Sequence, residues 1–220
     1  GDWSTATRMG PDGKPAGTKD SAGRRAFDTK KGSFAWDSYV IPEYVWFNGK
    51  FDYKAVGDKI DPAQVVKINR PEGGPAAGDS RIWPMKVHTG KQAYDKVNNT
   101  LIVAHTAGED DTALWHNFDW AKAIGAGMKA AGLPFSGEYG FVSTEMRWPI
   151  AHMVAPKEDA LSCIQCHSPD GRMKNIGGVY LPGRDAKPWF DWGAGVHSVL
   201  IFLGVLNHGG IRYNSTGKGV

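Results

Sequence analysis

The chain's two cysteines, Cys163 and Cys166, lie three positions apart, and His167 follows the second directly. On a helix, positions i, i+3 and i+4 share one face. Two thiols and one imidazole presented together are the donor set for covalent attachment of a c-type haem, the thiols to its vinyl groups and the imidazole to its iron. The run around them, LSCIQCHSP, supports a short helix. Pro156 suits a first helical position, Glu158 and Asp159 suit a first turn, and Pro169 with Gly171 stops the helix soon after. A zinc site needs four ligands and would require a second cysteine pair. A thioredoxin-like redox pair needs a surrounding βαβ pattern, which is missing. A structural disulfide or a chance motif accounts less well for both cysteines of a cysteine-poor chain falling within one pattern. The sequence therefore predicts one covalent haem c per chain, with Cys163 and Cys166 as attachment points and His167 as proximal ligand.

The surrounding elements must position this group. With 29 glycines and 13 prolines in 220 residues, the chain is expected to hold less regular structure than average. Nine tryptophans suit packing on a large flat hydrophobe. A net charge of +3 with no basic stripe excludes nucleic acid as a natural partner. Gly1–Lys31 lacks the apolar centre of a signal peptide, which reads as a processed form or a fragment. Attachment of haem c takes place outside the cytoplasm, so an extracytoplasmic, periplasmic location is expected.

Three regions are expected: an irregular polar arm over residues 1–32, a haem-c-binding domain over 33–190, and an apolar helix with a tail over 191–220. The expected class is mainly α with extensive irregular structure, a few short strands and a C-terminal apolar helix. Extended pieces are read around Phe34–Phe47, turning at Asn48-Gly49, and at Val65–Ile68, Ser80–His88 and Thr100–His105. Asp119–Ala131 is the clearest amphipathic helix, capped by Asn117 or Asp119 and ended by Gly132 and Pro134. Pro134–Trp148 reads as loop. Gly193–Ile211 is uncharged and long enough to span a bilayer, with Trp189 and Trp192 at one end. A buried helix covering haem surface is the alternative.

Six histidines remain outside the motif. A lone histidine is more often a surface or core residue than a ligand, and that applies best to His116. His88 and His105 follow extended apolar runs, and His152 lies in PIAHMV just before the motif. An imidazole held on such a segment can project rigidly, as a ligand must. Met146, Met153 and Met173 are alternative sixth ligands, with core filling as their ordinary role. One haem needs one distal ligand, so three well-placed histidines either include two idle ones or serve haems held elsewhere.

The segments FAWDSYVIPEYVWFNGKFDY, SRIWPMKVHTGKQAYD, SGEYGFVSTEMRW and RWPIAHMVAPKEDALSCIQCHSPDGRM resemble, in order, the C-terminal part of the octahaem tetrathionate reductase family of multihaem cytochromes c. The resemblance runs from about Gly32 to Arg172. Members of that family carry eight C-x-x-C-H motifs and a catalytic haem with a lysine ligand, whereas this chain has one motif. The resemblance implies a multihaem-cytochrome-like fold. It also implies that His88, His105 and His152 supply distal ligands to haems carried by a partner chain or an N-terminal portion. Two functions follow as expectations. One is an electron-transfer subunit with iron ligated on both axial sides. The other is part of an oxidoreductase complex reducing a sulfur or nitrogen oxyanion, attracted by Lys86, Lys91 and Arg147. A membrane partner subunit is expected if Gly193–Ile211 is an anchor.

Overall fold

The computed structural model describes residues 1–6, 12, 14, 16–151, 155–185 and 188–216. The chain divides into two compact units, Gly1–Val154 and Ala155–Val220.

The first unit is built on one long strand, β8 (Arg81–Asp95), preceded in the chain by seven shorter strands. Of those, β4 (Glu43–Phe47) pairs antiparallel with the start of β8, from Glu43↔Met85 to Phe47↔Arg81. Strand β9 (Thr100–Leu101) pairs with its end. Strand β10 (Tyr139–Pro149) runs antiparallel along β8 from Tyr139↔Asp95 to Pro149↔Met85. On its far side lies β6 (Val66–Lys67), parallel through Val66↔Thr144. Near the N-terminus, β1 (Gly17–Lys19), β2 (Arg25–Asp28) and β3 (Gly32–Ser33) form a separate small sheet. A two-stranded ladder joins β5 (Phe51–Tyr53) and β7 (Asn69–Pro71).

Alternation along the strands sends successive side chains to opposite faces, and each face has its own core. Ile60, Val66 and Val142 pack with Ile68, Tyr94 and Leu101 on one face. On the other, Ala93 and Phe141 pack against Ile124 and Met128 of the helix α2 (Trp120–Ala130). A short helix, α1 (Leu114–Asn117), precedes it.

Helix α2 ends where local chemistry dictates. The Asp119 carboxylate accepts from the Lys122 amide at 3.1 Å, satisfying an orphan donor of the first turn. After Ala131, Gly132 takes the left-handed φ of 68°. Leu133 then donates back to the Met128 carbonyl at 2.9 Å, which closes the helix in a Schellman arrangement.

The expected mainly α architecture is overturned. Strand and helix hold similar shares of the chain, and more than half of the helical residues lie in the C-terminal helix. The largest difference is at Tyr139–Pro149, which reads as loop and is instead the main partner of β8. This strand has no clean polar face, because α2 covers one side and the 55–68 segment the other. The period-two signal of a half-buried strand is therefore missing. In the N-terminal arm, expected to be irregular, the described residues include the β1–β3 sheet and a 3-10 turn at Trp3–Thr5. Trp3 packs edge-on against Trp120, at 6.5 Å between ring centroids.

The second unit contains a 3-10 turn (Lys157–Asp159), the short helix α3 (Cys163–His167), an irregular loop and the long helix α4 (Pro188–Thr216).

Candidate haem-attachment and ligand sites

Helix α3 begins at Ser162, whose backbone N–H donates to the Gln165 side-chain oxygen at 2.8 Å. That contact is half of a capping box and fixes the entry of the motif. Pro156 starts the preceding 3-10 turn, and extended backbone at Ala160 and Ser162 separates that turn from α3. Beyond His167 the loop folds back. Arg172 donates its amide to the Gln165 carbonyl at 2.8 Å, and a Cβ at Gly171 would lie 2.7 Å from the Cys166 carbonyl oxygen. Only glycine permits so close a return.

The loop after α3 is tied down by one cation. Arg184 donates to the carbonyls of Lys174 at 2.9 Å, Ile176 at 2.6 Å and Val179 at 2.5 Å. Asp185 pairs with that guanidinium at 2.5 Å and accepts from the Leu181 amide at 2.8 Å. The hydrogen bonds to Asp185 raise the Arg184 pKa further, so the clasp stays charged. Met173, Ile176 and Leu181 are buried beneath it. Met173 thus serves the small core of this unit.

Cys163 and Cys166 are free thiols, the first exposed and the second half-buried. With His167 they occupy one face of α3 by helical spacing. Leu161 and Ile164 beside them are exposed, Ile164 at 70%. Two unpaired thiols, an imidazole and uncovered apolar side chains fit a covalently attached haem, which supplies one-electron redox chemistry when bound.

His88 lies in the middle of β8, exposed, opposite Met146 of β10. Upstream, β8 pairs with β4 as far as Met85. Downstream, the Gly1 amino group donates to the Thr89 carbonyl at 2.8 Å, and the Gly1 carbonyl accepts from the Lys91 amide at 2.8 Å. His88 therefore sits at the break between two pairing partners of its strand.

His105 lies beyond β9, and its backbone is held at both ends. Its amide donates to the Ala123 carbonyl and its carbonyl accepts from the Leu114 amide, both at 2.9 Å. Gly127 makes this possible, since a Cβ there would lie 2.2 Å from the Val103 carbonyl oxygen. The His105 Nε2 is 2.9 Å from the Asp110 carboxylate. Thr112 donates its hydroxyl to the same carboxylate at 2.5 Å. The Thr112 hydroxyl and the His105 ring hold the Asp110 carboxyl far below the usual range. A carboxylate on one ring nitrogen orients an imidazole and leaves the other nitrogen for a ligand role.

His152 and Met153 lie outside the described residues. His116 is exposed on α1, as its surface reading expects. Among the described residues, no three His, Cys, Asp or Glu side chains converge into a metal-binding group. His88 and His105 therefore belong to no such group, and each has its own placement. Arg147 is committed to structure: it bonds Glu43 at 2.7 Å and Glu145 at 2.8 Å, joining β4 to β10. Its guanidinium is not open to an anion. Asp110, Arg184 and the Gln165 cap escaped the sequence reading. The signals were short: Asp two residues before Thr, and Arg beside Asp after a glycine-rich loop.

Residues 1–170, which take in the whole of α3, match the family described as bacterial cytochrome c. The chain belongs to that family. Membership makes it a haem protein of the electron-transfer class, with haem c attached covalently. This bacterial cytochrome c is also similar to the crystal structure of octaheme cytochrome c from Shewanella oneidensis. The two are 40% identical, with a TM-score of 0.70, over 83% of this chain and 41% of that one. The chain thus spans less than half the length of that multihaem relative. No curated protein matches it.

Proposed function

We propose that residues 1–220 form an electron-transfer module of a multihaem cytochrome, carrying one haem c on Cys163 and Cys166 with His167 as its proximal ligand. The observation that carries this reading is α3, which presents two free thiols and an imidazole on one uncovered face. His88, His105 and His152 supply distal imidazoles, at least one of them to a haem bound by polypeptide outside this chain, an N-terminal portion or a partner. The exposed position of His88 and the carboxylate-oriented ring of His105 support that role. The similarity to octaheme cytochrome c supports the multihaem setting. Both axial positions of each iron are filled by protein, which favours one-electron transfer over binding of a substrate.

The module works on the outer side of a membrane, with α4 as its anchor. Trp192–Arg212 has a mean hydropathy of 1.4 and none of it is buried. Its aromatic end at Trp189 and Trp192 and its cationic end at Arg212 suit an orientation with the tail inside.

Denaturing electrophoresis with haem staining tests the attachment. Signal should stay with the chain and vanish in the C163A/C166A variant. Replacing His88, His105 and His152 singly by Ala should each turn one haem from low to high spin. If all three variants remain entirely low-spin, the distal assignment is wrong.

A further inference from the structure

Helix α4 carries a second set of potential iron ligands that the covalent haem does not use. His197 and His208 are eleven residues apart, which is three turns plus about 20° at 100° per residue. They share one face, about 16 Å apart along the axis at 1.5 Å per residue. Gly204 lies between them within about 40° of each, by the same rotation. Among the described residues, neither imidazole has a hydrogen-bond partner. Ser198, by contrast, returns its hydroxyl to the Ala194 carbonyl at 2.9 Å and is satisfied within the helix.

Two glycines lie on that face. Gly193 is within about 40° of His197, and both it and Gly204 face open space, where an added Cβ would meet nothing within 4 Å. A helical glycine costs roughly 1 kcal/mol against alanine. Among the described residues nothing packs on them to recover that cost, so a neighbour that needs close approach to the backbone accounts for them best.

We infer that this face of α4 binds two haem groups non-covalently within the membrane, His197 giving one axial ligand to the first and His208 one to the second. The inference rests on the proposal that α4 lies in a membrane. A single imidazole cannot build a zinc or copper site, which needs three or four protein donors in one place. It suffices for haem iron, because the macrocycle already supplies four nitrogens. At about 16 Å apart the two rings cannot share one iron, so each serves its own. The trans ligands come from a facing helix outside this one. In lipid an unpartnered imidazole is costly, and ligation removes that cost. His197 lies five residues inside Trp192 and His208 four residues inside Arg212, which places one haem in each leaflet. Such a pair would extend the electron path from the covalent haem across the bilayer.

The test uses the protein purified from its own membranes in mild detergent, after carbonate washing. Acidified acetone removes non-covalent haem and leaves covalent haem on the chain. Wild type should release haem, H197A and H208A should each release one equivalent less per covalent haem, and the double variant should lack both. Each single variant should also lose one low-spin resonance, while H197M, which keeps a ligand, should retain its haem with an altered spectrum. If the washed protein stays in the membrane but releases no haem, or if the double variant releases as much as wild type, the inference is overturned while the anchor stands. If carbonate strips the protein from the membrane, both fall.

Discussion

The strand-built unit and the cysteine-bearing unit reach order by different means. The first has two apolar cores on opposite faces of one sheet and its own buried polar knot. Asp95 is fully buried and accepts from Val97, Asn98 and Ser136, with amide distances of 2.7 to 2.9 Å. The second unit buries Met173, Ile176 and Leu181, and its loop is held by carbonyls gathered on Arg184. Small cores of that kind usually need a covalent or metal staple. The sheet is a scaffold in its own right, whereas the segment around α3 has little core and, as the proposed haem site, would be completed by the bound group.

The sharpest way to break this contrast is to remove the thiols. C163A/C166A should abolish haem attachment and leave 155–185 open to protease, while 16–151 stays resistant. Equal loss of protection in both regions would show that the sheet depends on haem as well. Arg184→Ala should act next most strongly within the small unit, freeing several carbonyls at once. Limited proteolysis should then cut within 173–183, and Arg184→Lys should rescue little, because a lysine cannot reach the same fan of acceptors.

In the sheet unit, Asp95→Ala should cost about 3 kcal/mol by leaving buried donors unpaired, seen as a lowered denaturation midpoint with haem content unchanged. The acid limb of the same unit should carry a related signature. Burial alone would raise the Asp95 pKa, but the hydrogen bonds from Asn98 and Ser136 outweigh it and lower it to about 2. The depressed value means that the contribution is present above the ordinary carboxylate pKa and is lost as pH falls through about 2. Acid titration of Asp95→Asn should lack that component. The most local effect is expected at Gly127. Alanine there would press on the 103–105 backbone, costing about 3 kcal/mol or more and moving His105. The readout is a changed spectrum of the haem that His105 is proposed to serve.

Some of this protein was determined by sequence alone, and the reason is range. The C-x-x-C-H face, the Asp119 cap and the Gly132 stop all depend on contacts within one or two turns, so residue types at fixed spacing suffice. The apolar character of Gly193–Ile211 is likewise a property of consecutive residues, and the chain does form a helix there. The extended readings at 34–47, 65–68, 80–88 and 100–105 contain β4, β6, the first half of β8 and β9. The pairing was not legible, because β8 meets a strand more than forty residues away that reads as loop. The same limit applied to the site. That His88 falls where β8 changes partners, that Asp110 steadies His105, that Gly127 makes room for its backbone and that Arg184 gathers the loop after α3 are all pairings that become definite only once distant segments meet. Local chemistry chose where a haem can be attached. Tertiary pairing decided how the histidines of the sheet unit are held.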